Sequence, residues 1–143
     1  MMLQFTIPGV PIAKGRPRFT VSGGFASAYT PAATRKYEAG VRALAEAAMR
    51  GIAVTAQPVE VLLELRMPIP PSWPKKKQAL ALAGTVRATK KPDLDNIAKG
   101  ALDACNGVCW ADDSQIVLLT VRKLYAAEPC VVVAVRVVEG EAA

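Results

Sequence analysis

The chain of 143 residues contains no histidine. This absence excludes the Ser-His-Asp and Cys-His arrangements on which many nucleophilic enzymes depend. Any proton transfer in this protein must therefore use Asp, Glu, Lys, Tyr, Cys or a water molecule activated by a metal.

Cysteine and long apolar runs are also scarce. The three cysteines, Cys105, Cys109 and Cys130, are an odd number and lack the second pair of ligands that a zinc site requires, so we expect small core residues rather than a disulfide framework or a zinc site. The longest apolar run, CVVVAV, is far too short to span a membrane. The N-terminus lacks the basic and apolar regions of a signal peptide. We therefore expect a cytoplasmic protein with no membrane association.

The composition is that of a folded, basic protein. Apolar residues make up 52% of the chain, which is enough for a core, and the length favours one domain over residues 1–143. The net charge of +6 and the pI near 9.5 indicate a polyanionic partner.

Apolar periodicity predicts a single small α+β domain, in which a mixed sheet of about four strands packs against two to three helices. Residues 59–67 alternate as a strand with one buried face, and residues 130–139 are typical of a strand buried on both faces. Residues 9–30 are rich in glycine and proline and predict a long loop or a ragged hairpin. The remaining predicted strands lie at 3–8 and 115–126. The predicted helices are one with Thr30 as N-cap and Pro31 at its first position that ends at Gly51, a short one capped near Ser72 and opened by Lys75–Lys77, and one from about Asp95 to Asn106.

The segment PDLDNIAKGALDA (92–104) concentrates negative charge at the start of a predicted helix. On one interpretation Asp95 is simply the N-cap, since aspartate caps a helix and complements its dipole. On the other, Asp93 and Asp95 bind a metal. Lys99 lies one turn after Asp95, so it either forms an ion pair with Asp95 or places a cation beside a phosphate.

Two further features favour the metal. Asp112 and Asp113 follow the same helix, although they can reach its start only if the next strand runs back beside the helix or the helix ends early. Oxygen ligands without histidine or cysteine select Mg²⁺, with Mn²⁺ as a substitute, and such a cation can activate water and polarise a phosphate. Basic residues surround these carboxylates: Lys75, Lys76, Lys77, Arg87, Lys90, Lys91, Arg122 and Lys123.

The segment PDLDNIAKGALDACNGVCWADDSQIV (92–117) resembles the core motif of RusA-type Holliday junction resolvases, with D-L-D-N, a lysine four residues after the second aspartate, and W-x-D-D-x-Q. KGRPRF, YTP and TRKYE, further upstream, are similar to the phage and prophage branch of that family. The resemblance implies a RusA-like fold and a homodimeric, Mg²⁺-dependent endonuclease that makes paired nicks across four-way DNA junctions. It implies no organic cofactor.

The resemblance also implies roles for individual residues. Asp93, Asp95 and Asp113 match the metal-binding catalytic residues, and Lys99 matches the catalytic lysine. Asp112 and Asp103 are less firmly matched, and we expect Asp103 to have a supporting role. Two other hypotheses stay open: a less selective metal-dependent nuclease acting on branched DNA, and a non-catalytic nucleic-acid-binding module in which the aspartates only cap a helix.

Basic residues outside the acidic motif are candidates for DNA contact. Those that we expect to bind DNA are Lys14, Arg16, Arg18, Lys75, Lys76, Lys77, Lys90 and Lys91. Phe19, Phe25 and Tyr29 can stack on unpaired bases, but aromatic residues of small domains more often pack in the core. We expect Trp110 to pack in the core beside the turn that contains Asp112 and Asp113.

Overall fold

The structure is a computed structural model that describes residues 2–15, 18–29 and 31–140. Its elements, in chain order, are strand β1 (Met2–Pro8), strands β2 (Arg18–Ser22) and β3 (Phe25–Tyr29), helix α1 (Ala32–Ala48), strand β4 (Val59–Pro68), helices α2 (Lys75–Leu82) and α3 (Leu94–Cys105), a 3₁₀ turn (Asp113–Gln115), and strands β5 (Ile116–Ala126) and β6 (Cys130–Val137).

Four strands form one mixed sheet in the order β1, β6, β4, β5. Strand β6 runs antiparallel to both of its neighbours, whereas β4 and β5 run parallel to each other. The expected α+β fold, with a mixed sheet of about four strands and three helices, is therefore confirmed.

The core lies between one face of this sheet and the helices. Val61, Leu63 and Leu65 of β4 are at most 1% exposed, whereas Leu62, on the other face, is 38% exposed. Helices α1 and α3 contact each other, and they contact β1 and β5 respectively. The prediction that β4 has one buried face is confirmed.

The prediction that strand β6 is buried on both faces was wrong. Its burial alternates: Val131, Val133 and Val135 are buried, while Val132 and Ala134 are partly exposed. The reason is that β6 lies in a sheet whose helices pack on one face. An unbroken run of valines reflects β-propensity as much as burial.

The helices are short. The longest helix that the structure describes, α1, has 17 residues, and none in residues 2–15, 18–29 or 31–140 is long and apolar enough to cross a membrane.

The glycine-rich segment contains a hairpin formed by β2 and β3, which settles the alternative between a loop and a hairpin. Its residues 19–21 and 23–29 are all exposed. The expectation that its aromatic residues pack in the core was wrong, because Phe19 is 76% and Phe25 is 79% exposed. The hairpin is a sheet of its own, separate from the four-stranded sheet that contributes to the core.

Two glycines near Lys14 predict opposite effects of an added methyl group. At Gly100, inside α3, a Cβ atom would make ordinary contacts of 3.6 Å with Lys14. Because alanine is favoured over glycine in a helix interior, we expect Gly100→Ala to raise the free energy of unfolding by about 0.5–1 kcal/mol. At Gly15 the Cβ would collide with the hydroxyl of Thr34, which accepts a hydrogen bond from the Gly15 N–H, so Gly15→Ala should lower the free energy of unfolding. Urea denaturation measures the free energy of unfolding of each variant. An equal decrease in the two variants would contradict this packing.

Candidate metal and nucleic-acid site

Helix α3 begins one residue earlier than the sequence predicted. Asp93 is its N-cap residue, with extended backbone angles, and the Ile97 N–H donates to the Asp93 carbonyl at 3.1 Å. Asp95 therefore lies within the first turn, and the prediction that it is the N-cap was wrong. The Asp93 side chain makes no capping hydrogen bond, so both carboxylates are exposed at the positive end of the helix. We call Asp93 and Asp95 the first acidic group.

Lys123 fixes the chain immediately before the first acidic group. From strand β5, its ammonium donates hydrogen bonds to the carbonyl of Lys90 at 2.6 Å and to that of Pro92 at 2.8 Å. These bonds join the sheet to the backbone leading into α3. The sequence indicated Lys123 only as part of the basic surroundings. Its alternation within β5, which places it on the helix side with Tyr125, was the available signal.

The first acidic group has the donor chemistry that Mg²⁺ prefers. In the part of the chain that the structure describes, no hydrogen bond or ion pair engages the carboxylates of Asp93 and Asp95 or the ammonium of Lys99. Lys99 is exposed about 6 Å further along the helix axis than Asp95. Mg²⁺ is commonly bound by one or two carboxylates together with waters and phosphate oxygens. The two aspartates fit that pattern.

Asp112 and Asp113, the second acidic group, have different surroundings. The Asp112 carboxylate accepts a hydrogen bond from the Ser114 N–H at 3.0 Å, and the Gln115 side chain accepts one from the Asp112 N–H at 2.7 Å. This capping box begins the 3₁₀ turn. Hydrogen bonds from Ser114 hold the pKa of Asp112 below its ordinary value. Asp112 therefore has a structural role as the N-cap of the 3₁₀ turn.

Asp113 is oriented by a buried tryptophan. The Trp110 indole N–H donates to Asp113 Oδ1 at 2.7 Å, and Trp110 itself is fully buried, as the sequence predicted. Gln115 holds the same turn against the chain before β4, since its amide donates to the carbonyls of Thr55 and Gln57 at 2.8 Å. Asp113 thus has one oxygen directed by Trp110 and stays partly exposed.

The two acidic groups lie at opposite ends of α3. Trp110 bridges to Asn106, immediately after the helix, so Asp113 lies at the C-terminal end, about 18 Å from Asp93 along a 12-residue helix. Strand β5 does run back beside the helix, but it brings Lys123 to the helix start and leaves Asp113 behind. Within residues 2–15, 18–29 and 31–140, no group of three His, Cys, Asp or Glu side chains has the arrangement of a metal site. The structure brings Asp93 together with Asp95, and not with Asp113.

Lys14 connects two helices. Its ammonium forms ion pairs with Asp103 of α3 and, at 3.2 Å, with Glu38 of α1, and its N–H donates to the Asn96 carbonyl at 3.1 Å. The hydrogen bond to Asp103 is the largest cause of the raised pKa of Lys14. The expected DNA-binding side chain is therefore engaged within the protein, and Asp103 has the supporting position expected of it.

The other basic candidates lie around Trp73, before α2. The ammonium of Lys77 lies 4.0 Å from the centre of the Trp73 ring and that of Lys90 lies 5.5 Å from it, within the range of cation–π attraction. Trp73 in turn packs edge-on against Tyr125 of β5, two residues after Lys123. This brings the start of α2 towards the segment that leads into α3. Sequence reasoning did not identify Trp73.

Four other residues were predicted to contact DNA, and they are Lys75, Lys76, Lys91 and Arg18. The three lysines are exposed, and Arg18 is the first residue of β2. Arg16 lies outside the described residues.

The cysteines are buried and unpaired, which confirms their expected place in the core. A hydrogen bond with Cys109, together with burial, raises the pKa of the Cys105 thiol well above its ordinary value. Cys105 therefore stays a neutral thiol at physiological pH.

The chain is similar to known proteins over nearly its whole length. Residues 8–136 match the family model described as "Endodeoxyribonuclease RusA", which covers nearly the whole chain. The chain is also 38% identical over 140 residues to "Uncharacterized protein YqaN" of Bacillus subtilis (strain 168), an alignment that covers 96% of this chain and 98% of that protein.

The position of Lys14 predicts a pH-dependent contribution to stability. Lys14→Met leaves Asp103 and Glu38 without their partner, so we expect it to lower the free energy of unfolding by about 1–3 kcal/mol at pH 7. Because the pKa of Lys14 is raised, the ion pairs are complete below the ordinary lysine value and are lost as the pH rises through the raised one. The difference from wild type should therefore shrink at strongly alkaline pH. Lys36→Met, at an exposed position on α1, is the control in urea denaturation. A loss no larger than that of the control would contradict the role of Lys14.

Proposed function

Because this chain belongs to the RusA endodeoxyribonuclease family, we propose that it is a Mg²⁺-dependent, structure-selective endonuclease that resolves four-way DNA junctions by paired nicks. The observation that carries the proposal is the start of α3. There, Asp93 and Asp95 are exposed and unpaired among the described residues, while Lys123 holds the adjoining backbone in place. A helix that needed only a cap would use the Asp93 side chain for it, and this helix does not.

Each residue at the helix start has a proposed task. Asp93 and Asp95 hold the cation, with Mn²⁺ as a substitute for Mg²⁺. When bound, the cation supplies the activation of water and the shielding of phosphate charge that a chain without histidine lacks. Lys99 contacts the scissile phosphate and offsets the negative charge that develops in the transition state.

The neighbouring lysines are proposed to bind the DNA backbone. The ammonium groups of Lys77 and Lys90 both lie over Trp73, and Lys75, Lys76 and Lys91 are exposed next to them in the chain. Such contacts position a duplex without reading its sequence. Arg16 and Arg18 stay predictions of phosphate contact. We leave Lys14 out because Asp103 and Glu38 already engage its ammonium.

Paired nicks require two equivalent sites, which a twofold homodimer provides. Strand β5 is an edge of the sheet, and its first half exposes large apolar side chains: Val117 is 61%, Leu118 51% and Leu119 41% exposed. An exposed apolar edge strand is a template for pairing with another strand. We propose that β5 pairs antiparallel with β5 of a second copy.

The proposed pairing would bring together the residues of the metal site predicted from the sequence. Asp113 and Lys123 lie five residues to either side of Leu118, so a pair centred there brings the 3₁₀ turn that contains Asp113 of one copy towards Lys123 of the other. Lys123 contacts the backbone next to Asp93. Asp113 of one copy is thereby proposed to complete the metal site that Asp93 and Asp95 of the other begin, which removes the separation of one helix length found within a single chain.

Cleavage of a four-way junction tests the activity itself. Purified protein should make paired nicks in a mobile four-way junction in Mg²⁺ and none in EDTA, and should leave plain duplex intact. Asp95→Asn should abolish nicking while binding is retained, and Lys99→Met should slow it about 10²–10³-fold, as expected for loss of one group that stabilises the transition state. Asp112→Asn is the matched control, because asparagine preserves the cap.

The same assay separates the alternatives. Equal cleavage of a flap and a junction would indicate the less selective nuclease. Binding without metal-dependent cleavage would leave only a non-catalytic nucleic-acid-binding module.

Complementation between two inactive variants tests the shared site. Asp95→Asn and Asp113→Asn should each be inactive alone. When they are mixed and allowed to exchange subunits, each heterodimer should contain one site with both defects and one intact site, so nicking of a single strand should return. If each site were built from one chain, every site in the mixture would carry a defect and no activity would return.

A further inference from the structure

The hairpin of β2 and β3 is exposed to solvent along its described length. Gly23 and Gly24 form its two-residue turn, both with positive φ (58° and 82°), which is the conformation that matches the twist of a tight hairpin. Residues 19–21 and 23–29 are all exposed. A two-stranded hairpin with no covering layer is marginally stable by itself, so a partner would add to its order.

Aromatic side chains are concentrated on this hairpin. It carries Phe19, Phe25 and Tyr29, half of the six phenylalanines and tyrosines of the chain, and they are 76%, 79% and 47% exposed. Phe25 directly follows the turn and pairs with Ser22, at the end of the hairpin furthest from the flanking chain. A large ring held in water at a hairpin tip is the feature that requires explanation.

The charge of this part of the chain identifies the class of partner. Residues 1–37 contain no aspartate or glutamate, and they carry five of the lysines and arginines: Lys14, Arg16, Arg18, Arg35 and Lys36. This segment therefore accounts for five of the six net positive charges. Exposed aromatic rings in a segment without negative charge match nucleic acid, whose phosphates require cations and whose unpaired bases stack on rings.

A second copy of the chain fits the hairpin less well. Seven of its twelve residues are Gly, Ala, Ser or Thr, and these offer little area for burial. A standard protein interface buries about 800 Å² on each partner, which four larger apolar side chains do not supply.

We propose that the hairpin is a DNA-opening arm, in which Phe25 stacks on a base unpaired at the branch point of a junction. The inference rests on the proposed function and names the part of the substrate that the hairpin contacts. Phe19 and Tyr29 lie on opposite faces of the hairpin and support flanking nucleotides. The branch point is where base pairs open most readily, since an interrupted stack lowers the cost of unpairing.

The test uses a four-way junction with 2-aminopurine at the branch point, saturated with protein in EDTA so that no strand is cut. Wild type should raise the fluorescence, because the base leaves its stack. Phe25→Leu, which keeps an apolar side chain without the ring, should remove most of that rise and weaken junction binding at least about fivefold, with duplex binding unchanged. Phe25→Trp, which keeps an aromatic ring, should restore junction binding. Val21→Ala is the matched control on the same hairpin and should behave as wild type.

Other outcomes overturn the proposal in distinguishable ways. If Phe25→Leu opens the branch point as wild type does and the protein still nicks junctions in Mg²⁺, the arm is refuted and the proposed function stands. If Phe25→Leu instead converts dimers to monomers in sedimentation, the hairpin contacts a second copy. If wild type neither binds nor nicks junctions, the proposed function fails, and the arm fails with it.

Discussion

The two hydrogen bonds from Lys123 to the carbonyls of Lys90 and Pro92 determine where the first acidic group lies. They tie an edge strand of the sheet to the chain that enters α3, so that the helix begins at a fixed point beside the sheet. Asp93 and Asp95 are surface residues, yet Lys123 fixes the backbone that precedes them and helix α3 fixes the backbone that follows. Carboxylates that must bind a cation and a phosphate benefit from such support, because a site with loose residues loses its geometry.

The opposite directions of α3 and β5 have a second consequence. The strand that supplies Lys123 to the helix start begins at the helix end, and Asp113 is held there by Trp110. One chain therefore carries the first and the second acidic group in two places, about 18 Å apart. The proposed antiparallel pairing of β5 with a second copy would bring these two places together, and it would also cover Val117, Leu118 and Leu119. Dimer formation, metal binding and symmetric cleavage would then depend on the same strand.

Much of the fold followed from local pattern. The alternation of Leu63 and Leu65 predicted β4, and the buried positions of α3 follow its apolar period. The roles of single charged residues did not follow. Nothing in the sequence separates Lys14, which connects two helices, from Lys77, which lies over Trp73, because both are lysines in basic segments. Asp112 and Asp113 are adjacent and identical, and only the conformation of the turn, in which the Ser114 N–H donates to Asp112 and the Trp110 indole donates to Asp113, distinguishes the capping carboxylate from the other one. The exposed Phe25 was mistaken for core because composition predicts burial from residue type alone.

We propose that the acidic residues of two copies form one metal site. A crystal structure grown with Mn²⁺ tests this proposal most directly, because the anomalous signal locates the ion independently of the protein density. We expect one ion for each site, bound by Asp93 and Asp95 of one chain and by Asp113 of the other, across paired β5 strands. An ion bound by residues of a single chain, or dimers joined through another surface with Asp113 far from the first acidic group, would contradict it.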